Sequence, residues 1–484
     1  MDWTISELKA KTKDQLIDLL TTCTQEADEL KARIAILEKK LASHKIPTTS
    51  RNSSMPPSTD LFSHRNQSLR EKSTLKTGGQ PGHKGHTLAK NPHPDFRVKH
   101  LPAEHCPFCK KSFQSSDFRL IEERQVVDIP KIKASVTNHQ VYGAICDCGH
   151  CHTAAFPGYV NAPVQYGPNL SSLVGYLSAR QYLPMARLVE LIYSITNIRM
   201  SQGTVANMLA RVTKSVVPIY KGIQQSISEA AVVGSDETSV KVKGQTDWMW
   251  VWQSQSASFI SYEQSRGYAS IIKNFPNGFK NSTLVSDALS AQLKTPAQKH
   301  QPCVAHMLRE LKYFIDKHNS QWAMAMKKLF LWAIELKKEM SPSDYLKSAP
   351  RDELLKLFDH LLELNPEEVD KLEAFHKRMK KLKFDVFNFL FDADVPPENN
   401  ASERAIRNVK VKQKVSGQFR STQGATRFAV IRSVIDTVIK RGGDPLTTLR
   451  FAVGTAAEKR SFLENKPELK SFFLYCGSSI RCWL

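Results

Sequence analysis

Ala231-Val-Val-Gly-Ser-Asp-Glu-Thr-Ser-Val-Lys-Val242 is an apolar run broken by two adjacent acids, Asp236 and Glu237. Its β-branched residues predict a strand. Segments 248–253 and 256–263 follow as alternating or apolar runs with turns between, so three antiparallel strands are expected. Another strand, 283–286, ends at Asp287. Cys303-Val-Ala-His-Met-Leu-Arg309 then opens a helix, and 321–391 reads as helical and charged, with Trp322, Phe330 and Trp332 as buried anchors. Asn399-Asn-Ala-Ser-Glu-Arg-Ala-Ile-Arg407 begins a later helix that carries Glu403.

Strands first, then a helical block, then an acid on a further helix is the order of a ribonuclease H-like core. The expected unit spans 230–440, with a helical insertion at about 321–395. Asp236, Asp287 and Glu403 sit at two strands and one helix, from which they can converge on a pair of divalent metals. Such a pair suits in-line attack on a phosphodiester. Taken singly, each acid has an ordinary explanation. An Asp after a strand is often a turn residue, and Glu403 can pair with Arg407 four residues on. Glu237 is a rival to Asp236, but adjacent strand residues face opposite sides, so only one can enter the site. After Glu403 come Arg404, Arg407, Lys410, Lys412, Lys414, Arg420, Arg427 and Arg432. Those cations would offset the acids and hold phosphates.

Working outward, 161–229 reads as helical. A helix begins near Pro184, and a third is capped by Ser201. Short helix, turn and capped helix resemble a helix-turn-helix, a DNA-binding arrangement. Residues 101–160 look like a small β-rich module with strands at 124–129 and 134–144. It holds Cys106-Pro-Phe-Cys109 and Cys146-Asp-Cys-Gly-His-Cys151. Two such knuckles predict a zinc ribbon with four thiolate ligands. Cys106 and Cys109 form one pair; the other is Cys148 with Cys151, or Cys146 with Cys148. His150 and His152 are expected bystanders. Residues 45–100 form a basic, Gly/Ser/Pro-rich linker, within which Gly78 to Leu88 is an arm carrying Lys84. At the N-terminus, 1–44, Leu16, Leu20, Cys23, Ala27, Leu30, Ile34, Leu37 and Leu41 alternate spacings of four and three. That is a coiled-coil seam, with Glu26, Glu29, Lys31, Arg33, Glu38 and Lys39 on the other faces. It predicts a homo-oligomer.

The whole is an α+β multidomain chain of 484 residues, ending in a segment 441–484. Its formal net charge of +21 favours a polyanionic partner, DNA above all. The polar first residues do not read as a signal peptide, and no apolar run approaches the length of a membrane helix. A bacterial cytoplasmic, nucleoid-associated protein without a membrane partner is expected. Nine cysteines, five of them crowded between 106 and 151, point to metal rather than disulfides.

These segments together resemble a DDE transposase of the insertion-sequence-66 type. The resemblance rests on Gly78 to Leu88, Cys106 to Cys109, the Ala162-Pro-Val-Gln-Tyr-Gly-Pro168 stretch, Ser235 to Thr238, Cys303 to Arg309, and Asn399 to Arg407. It places the catalytic acids at Asp236, Asp287 and Glu403, which would bind two Mg²⁺ (or Mn²⁺) ions. Its Cys-x2-His-x2-Arg element falls on Cys303, His306 and Arg309, as support beside that site. It implies cleavage at the ends of a mobile element, followed by joining of the 3′-hydroxyl to target DNA. The implied partners are the terminal inverted repeats, target DNA and accessory proteins of the element. A nuclease that only hydrolyses, or a DNA-binding regulator without catalysis, are the alternatives. Three departures stand out: Glu398 where Asp is common, Ala288 where Gly is frequent, and a C-terminal stretch from Tyr475 that matches nothing in the family.

Overall fold

The computed structural model describes residues 12–44, 80, 82–84, 88–101, 103–369, 371–454 and 459. Most of the basic linker and the C-terminal stretch therefore lie outside the described residues, as do the side chains of Leu16, Leu20, Cys23 and Leu41. The seam falls on a single 32-residue helix, α1 (Lys13–His44). Its visible seam positions Leu30, Ile34 and Leu37 are 58%, 53% and 57% exposed.

The cysteine-bearing module is less regular than its sequence predicts. Among its described residues β1 (Gly143–Ile145) and β2 (Cys151–Thr153) pair, antiparallel, with Ile145 opposite Cys151, and His105 bridges to Ser112. The expected strands at 124–129 and 134–144 are corrected: of 124–144, only Gly143 and Ala144 lie in a strand. Val126, Ile129 and Val136 stay exposed along it. β propensity reflects packing against a neighbour more than backbone preference, and here no neighbouring strand supplies it.

α2 (Pro168–Ala179), α3 (Met185–Thr196) and α4 (Gln202–Ser228) follow. Asn197, left-handed at φ 57°, ends α3, and the Ser201 hydroxyl accepts the Thr204 N–H to start α4. The helix, turn and cap fall where they were expected. α4 is nonetheless 27 residues long and buries Val205, Met208, Val212, Val216, Ile219 and Ile223.

The central sheet has five strands in the order β5-β4-β3-β6-β7. β3 (Val232–Val242), β4 (Gln245–Gln253) and β5 (Ser258–Glu263) are antiparallel, as read from sequence. β6 (Phe279–Ser286) runs parallel to β3, after a short α5 (Tyr268–Asn274). α6 (Ser290–Leu293) leads into β7 (Ala297–Pro302), which pairs parallel with β6. β7, Ala-Gln-Lys-His-Gln-Pro, was not anticipated: it is polar, and its edge position spares it the apolar pattern of a central strand.

α7 (Val304–His318), α8 (Gln321–Glu339), α9 (Ala349–Glu363) and α10 (Leu372–Lys381) form the helical block. They share one apolar cluster in which Trp322 and Phe330 are buried, while Trp332 is only partly covered. α11 (Asn400–Ser416), α12 (Thr422–Lys440) and α13 (Pro445–Val453) return to the sheet. A second cluster joins α2, α3 and α4 to the sheet and to α11, α12 and α13. Trp250 and Trp252 stack at its centre, 5.6 Å apart. The helices of 161–229 thus bury their apolar faces in the same core as β3 to β5. Among the described residues, no helix is long and apolar enough to cross a membrane.

Candidate active site

Three elements bring three acids into one region, although among the described residues their carboxylates do not form a metal-sharing cluster. Asp236 lies mid-β3, opposite Val251; Asp287 follows the last residue of β6; Glu403 lies in the first turn of α11. What lets α11 approach is Gly234. A Cβ there would come within 2.5 Å of Ser402 Oγ and 3.1 Å of Asn399 Oδ1, so any side chain would push the helix start off the strand.

The acids feel one another. Burial, then the charge of Asp287, then those of Glu237 and Glu403 push the Asp236 carboxyl well above the usual range. The backbone N–H of Glu237 donates to its Oδ1 at 2.8 Å. Asp287 is pushed up to about 6, first by burial and then by Glu403, with Asn399, Arg309 and Arg266 pulling the other way. Asp236 and Asp287, buried and each raised by a neighbouring acid, lack enough positive charge in the protein itself. That is the donor set for a hard divalent cation, which favours oxygen ligands and would reverse both shifts.

The Cys303–His306–Arg309 series runs along α7 at spacings of three and serves the acids in turn. Cys303, at the N-cap, is buried and accepts the Asn399 N–H at 3.2 Å. Burial raises its thiol to about 12, so it stays protonated and is no nucleophile. His306 Nδ1 lies 3.2 Å from Asp287 Oδ1. Burial and the Arg309 charge lower His306 to about 4, leaving it neutral at pH 7. Arg309 Nη2 lies 3.6 Å from Glu403 Oε1. Glu403 therefore pairs across elements with Arg309, rather than along its own helix with Arg407. Asp287, Cys303 and His306 form the sole three-ligand cluster among the described residues.

Several residues here escaped the sequence reading. Asn399 donates its Nδ2 to Ser235 O at 2.8 Å and to Asp287 Oδ1 at 3.5 Å, tying β3, the end of β6 and the start of α11 together. Its position just ahead of an acid-bearing helix was the available signal. Gln292 reaches Ser235 O and Glu237 Oε2, both at 3.3 Å. Glu237 Oε1 is taken by Arg266, at 2.9 Å from Nε and 2.7 Å from Nη2. Both oxygens of Glu237 are thus engaged.

The cationic run divides. Arg404, Arg407, Lys414 and Arg420 are exposed, and Lys410, half-buried, donates to Ser239 O at 3.3 Å and feels the Asp236 charge. Lys84 is exposed too. Lys412 differs from its expected role as a DNA contact. It is buried, its Nζ 3.4 Å from the carbonyls of Tyr182 and Leu183, because helical period turns it toward α2 and α3. Arg432 is fully buried and paired with Asp436 at 2.5 Å, and Arg427 donates to Ala206 O.

Cys106 and Cys109 lie at one turn and Cys146 and Cys148 at another, while Cys151 opens β2. The Lys110 N–H returns to Cys106 O at 3.0 Å, and the Gly149 N–H to Cys146 O at 2.7 Å. Backbone N–H groups of Cys109 and Phe108 lower the Cys106 thiol, and that of Cys148 lowers Cys146. Cys148 Sγ also lies 3.4 Å from His150 Nδ1. Among the described residues, no three cysteines gather within metal-sharing distance.

A mixed α/β protein with a carboxylate cluster and a cationic helix beside it is the class these elements define. Residues 163–427 match the family described as "Transposase IS66 family", more than half of the chain. The chain belongs to that family, whose members are DNA-processing enzymes acting on a DNA substrate. Residues 3–89 match a family of unknown function (DUF6444). An uncharacterised protein of Sinorhizobium fredii, y4qI, is 23% identical over 379 residues, covering 70% of this chain and 69% of its own.

Proposed function

We propose that the chain is a DDE-type DNA transposase that cuts the ends of an insertion sequence and joins the freed 3′-hydroxyl to target DNA. What supports this is that Asp236, Asp287 and Glu403 stand on β3, after β6 and on α11, three elements that Gly234 and Asn399 hold against one another. Three antiparallel strands followed by two parallel ones, with acids on the first and after the fourth, support a ribonuclease H-like core. Asp236, Asp287 and Glu403 would hold two Mg²⁺ or Mn²⁺ ions, which supply Lewis-acid neutralisation and an activated oxygen nucleophile. The chain's own groups do the rest. Asn399 fixes Asp287, Arg309 fixes Glu403, and Lys84, Arg404, Arg407, Lys410 and Lys414 draw the phosphates in.

Recognition of the terminal repeats falls to the α3–α4 unit, the cysteine module and the basic linker, as domains 161–229, 101–160 and 45–100 ahead of catalytic residues 230–440. The two cysteine turns fit half-sites for a structural Zn²⁺, since their N–H groups favour thiolates. α1 pairs protomers, because two element ends must meet in one complex. Accessory proteins of the element complete the assembly, in a bacterial cytoplasm at the nucleoid.

The test is incubation with a plasmid carrying the DNA that flanks the gene, with and without Mg²⁺. Mg²⁺-dependent nicks at the element ends followed by joined products support the proposal. Nicks without joining mean a nuclease, and binding without either means a regulator.

A further inference from the structure

Arg266 lies in the loop between β5 and α5, outside every motif that points to the acids. Its mount is unusual. The guanidinium side chain is 51% exposed, yet its partner carboxylate on Glu237 is only 6% exposed. Nε and Nη2 both donate to Glu237 Oε1, and the guanidinium carbon lies 5.0 Å from the centre of the Trp248 ring. Gln292 holds the other Glu237 oxygen from α6. The Trp250 indole N–H donates to Ser265 O at 3.3 Å, and the Gly267 N–H to Ser265 Oγ at 2.9 Å, pinning the loop on both sides of the arginine. Nη1 has no protein partner among the described residues.

A buried carboxylate is costly unless it serves a fixed hydrogen-bonded partner. Here one holds a guanidinium by one edge, over an aromatic plate, with the other edge free. Glu237 faces away from its neighbour Asp236 on β3, but Gln292 ties it to Ser235 O, which Asn399 ties to Asp287, so the fork stands on the Asp287 side of the acids, and its field reaches Asp287. A planar fork with one unused edge suits a phosphate oxygen. On the opposite flank, Arg309 is committed to Glu403.

We propose that Arg266, mounted on Glu237 and Trp248, is a substrate-positioning residue that grips a backbone phosphate of the DNA strand entering the acid cluster. The assignment rests on the transposase reading above and adds a specific contact to it. Glu237 is then a mount and not a metal ligand, which gives the adjacent acids Asp236 and Glu237 separate tasks.

The test uses the full-length protein and two probes: a fluorescent random-sequence duplex for binding, and the flanking-DNA plasmid with Mg²⁺ for cleavage. Arg266→Ala is expected to raise KM about 10- to 100-fold with kcat within a few-fold. The slope of log affinity against log salt should fall by about 1. Arg266→Lys keeps the charge and the slope but recovers only part of KM. Glu237→Gln raises KM while leaving the slope and the Mg²⁺ dependence intact. Unchanged KM and salt slope in Arg266→Ala, while Asp236→Ala abolishes cleavage, would overturn the clamp and leave the active site standing. Cleavage that survives Asp236→Ala would instead overturn the active-site reading beneath it. A fall in melting temperature with no change in slope would mean that Arg266 is structural, and would also overturn the clamp.

Discussion

Asp236 is the residue on which the chemistry and the stability pull in opposite directions. Its carboxyl is buried beside two other acids and is pushed well above its usual range, so without metal its charge is a cost to the fold. Asp236→Asn should therefore raise the melting temperature of the metal-free protein, by about 1–2 kcal/mol of stability, while abolishing Mg²⁺-dependent cleavage. Calorimetry beside a nicking assay checks both halves. Ala288, next to Asp287, has φ 61°, the left-handed region that a Cβ disfavours. Ala288→Gly should stabilise by about 1 kcal/mol, read as a shift of the urea midpoint. At this scale the placements of the three acids at a strand, a strand end and a helix start, and of Cys303, His306 and Arg309 on one helix, were legible in sequence. Asn399, Arg266 and Gln292 were not, because their roles depend on tertiary neighbours 112, 29 and 55 positions away.

Among the elements, α11 carries the most. One face presents Glu403 to the acids, another sends Arg404, Arg407 and Lys414 outward, and a third buries Lys412 against the α2–α3 turn. Burial lowers Lys412 to about 8. Its unfolded value lies near 10.4, so between pH 8 and 10 the unfolded chain binds more protons and stability rises with pH. At pH 7 it is charged in both states and the burial cost stands in full. Lys412→Met should thus stabilise by about 1–2 kcal/mol at pH 7. The advantage should shrink toward pH 10 and DNA affinity should not change. Denaturation at both pH values, with a binding titration, checks this. Charge runs in a sequence do not show which cations a helix turns inward, and that is why Lys412 and Arg432 were misplaced. The central strands were legible because their apolar alternation is strong. β7 was hidden by its polar edge, and 124–142 misled because β-branched residues without a neighbour form no sheet.

Across the described residues, the central sheet and its helices share cores, while α1 leaves Leu30, Ile34 and Leu37 exposed. Exposed leucines at heptad spacing are stable only when covered. Leu30→Glu with Leu37→Glu is expected to convert an oligomer to a monomer in sedimentation velocity and to remove joined products, while single-site DNA binding survives.

The central claim is that Asp236, Asp287 and Glu403 together hold the catalytic metals. Anomalous diffraction from crystals of the protein with a DNA end and Mn²⁺ tests it most directly. Two manganese peaks bounded by those three carboxylates are the predicted result. Manganese bound elsewhere, with the three carboxylates left without a metal, would contradict it.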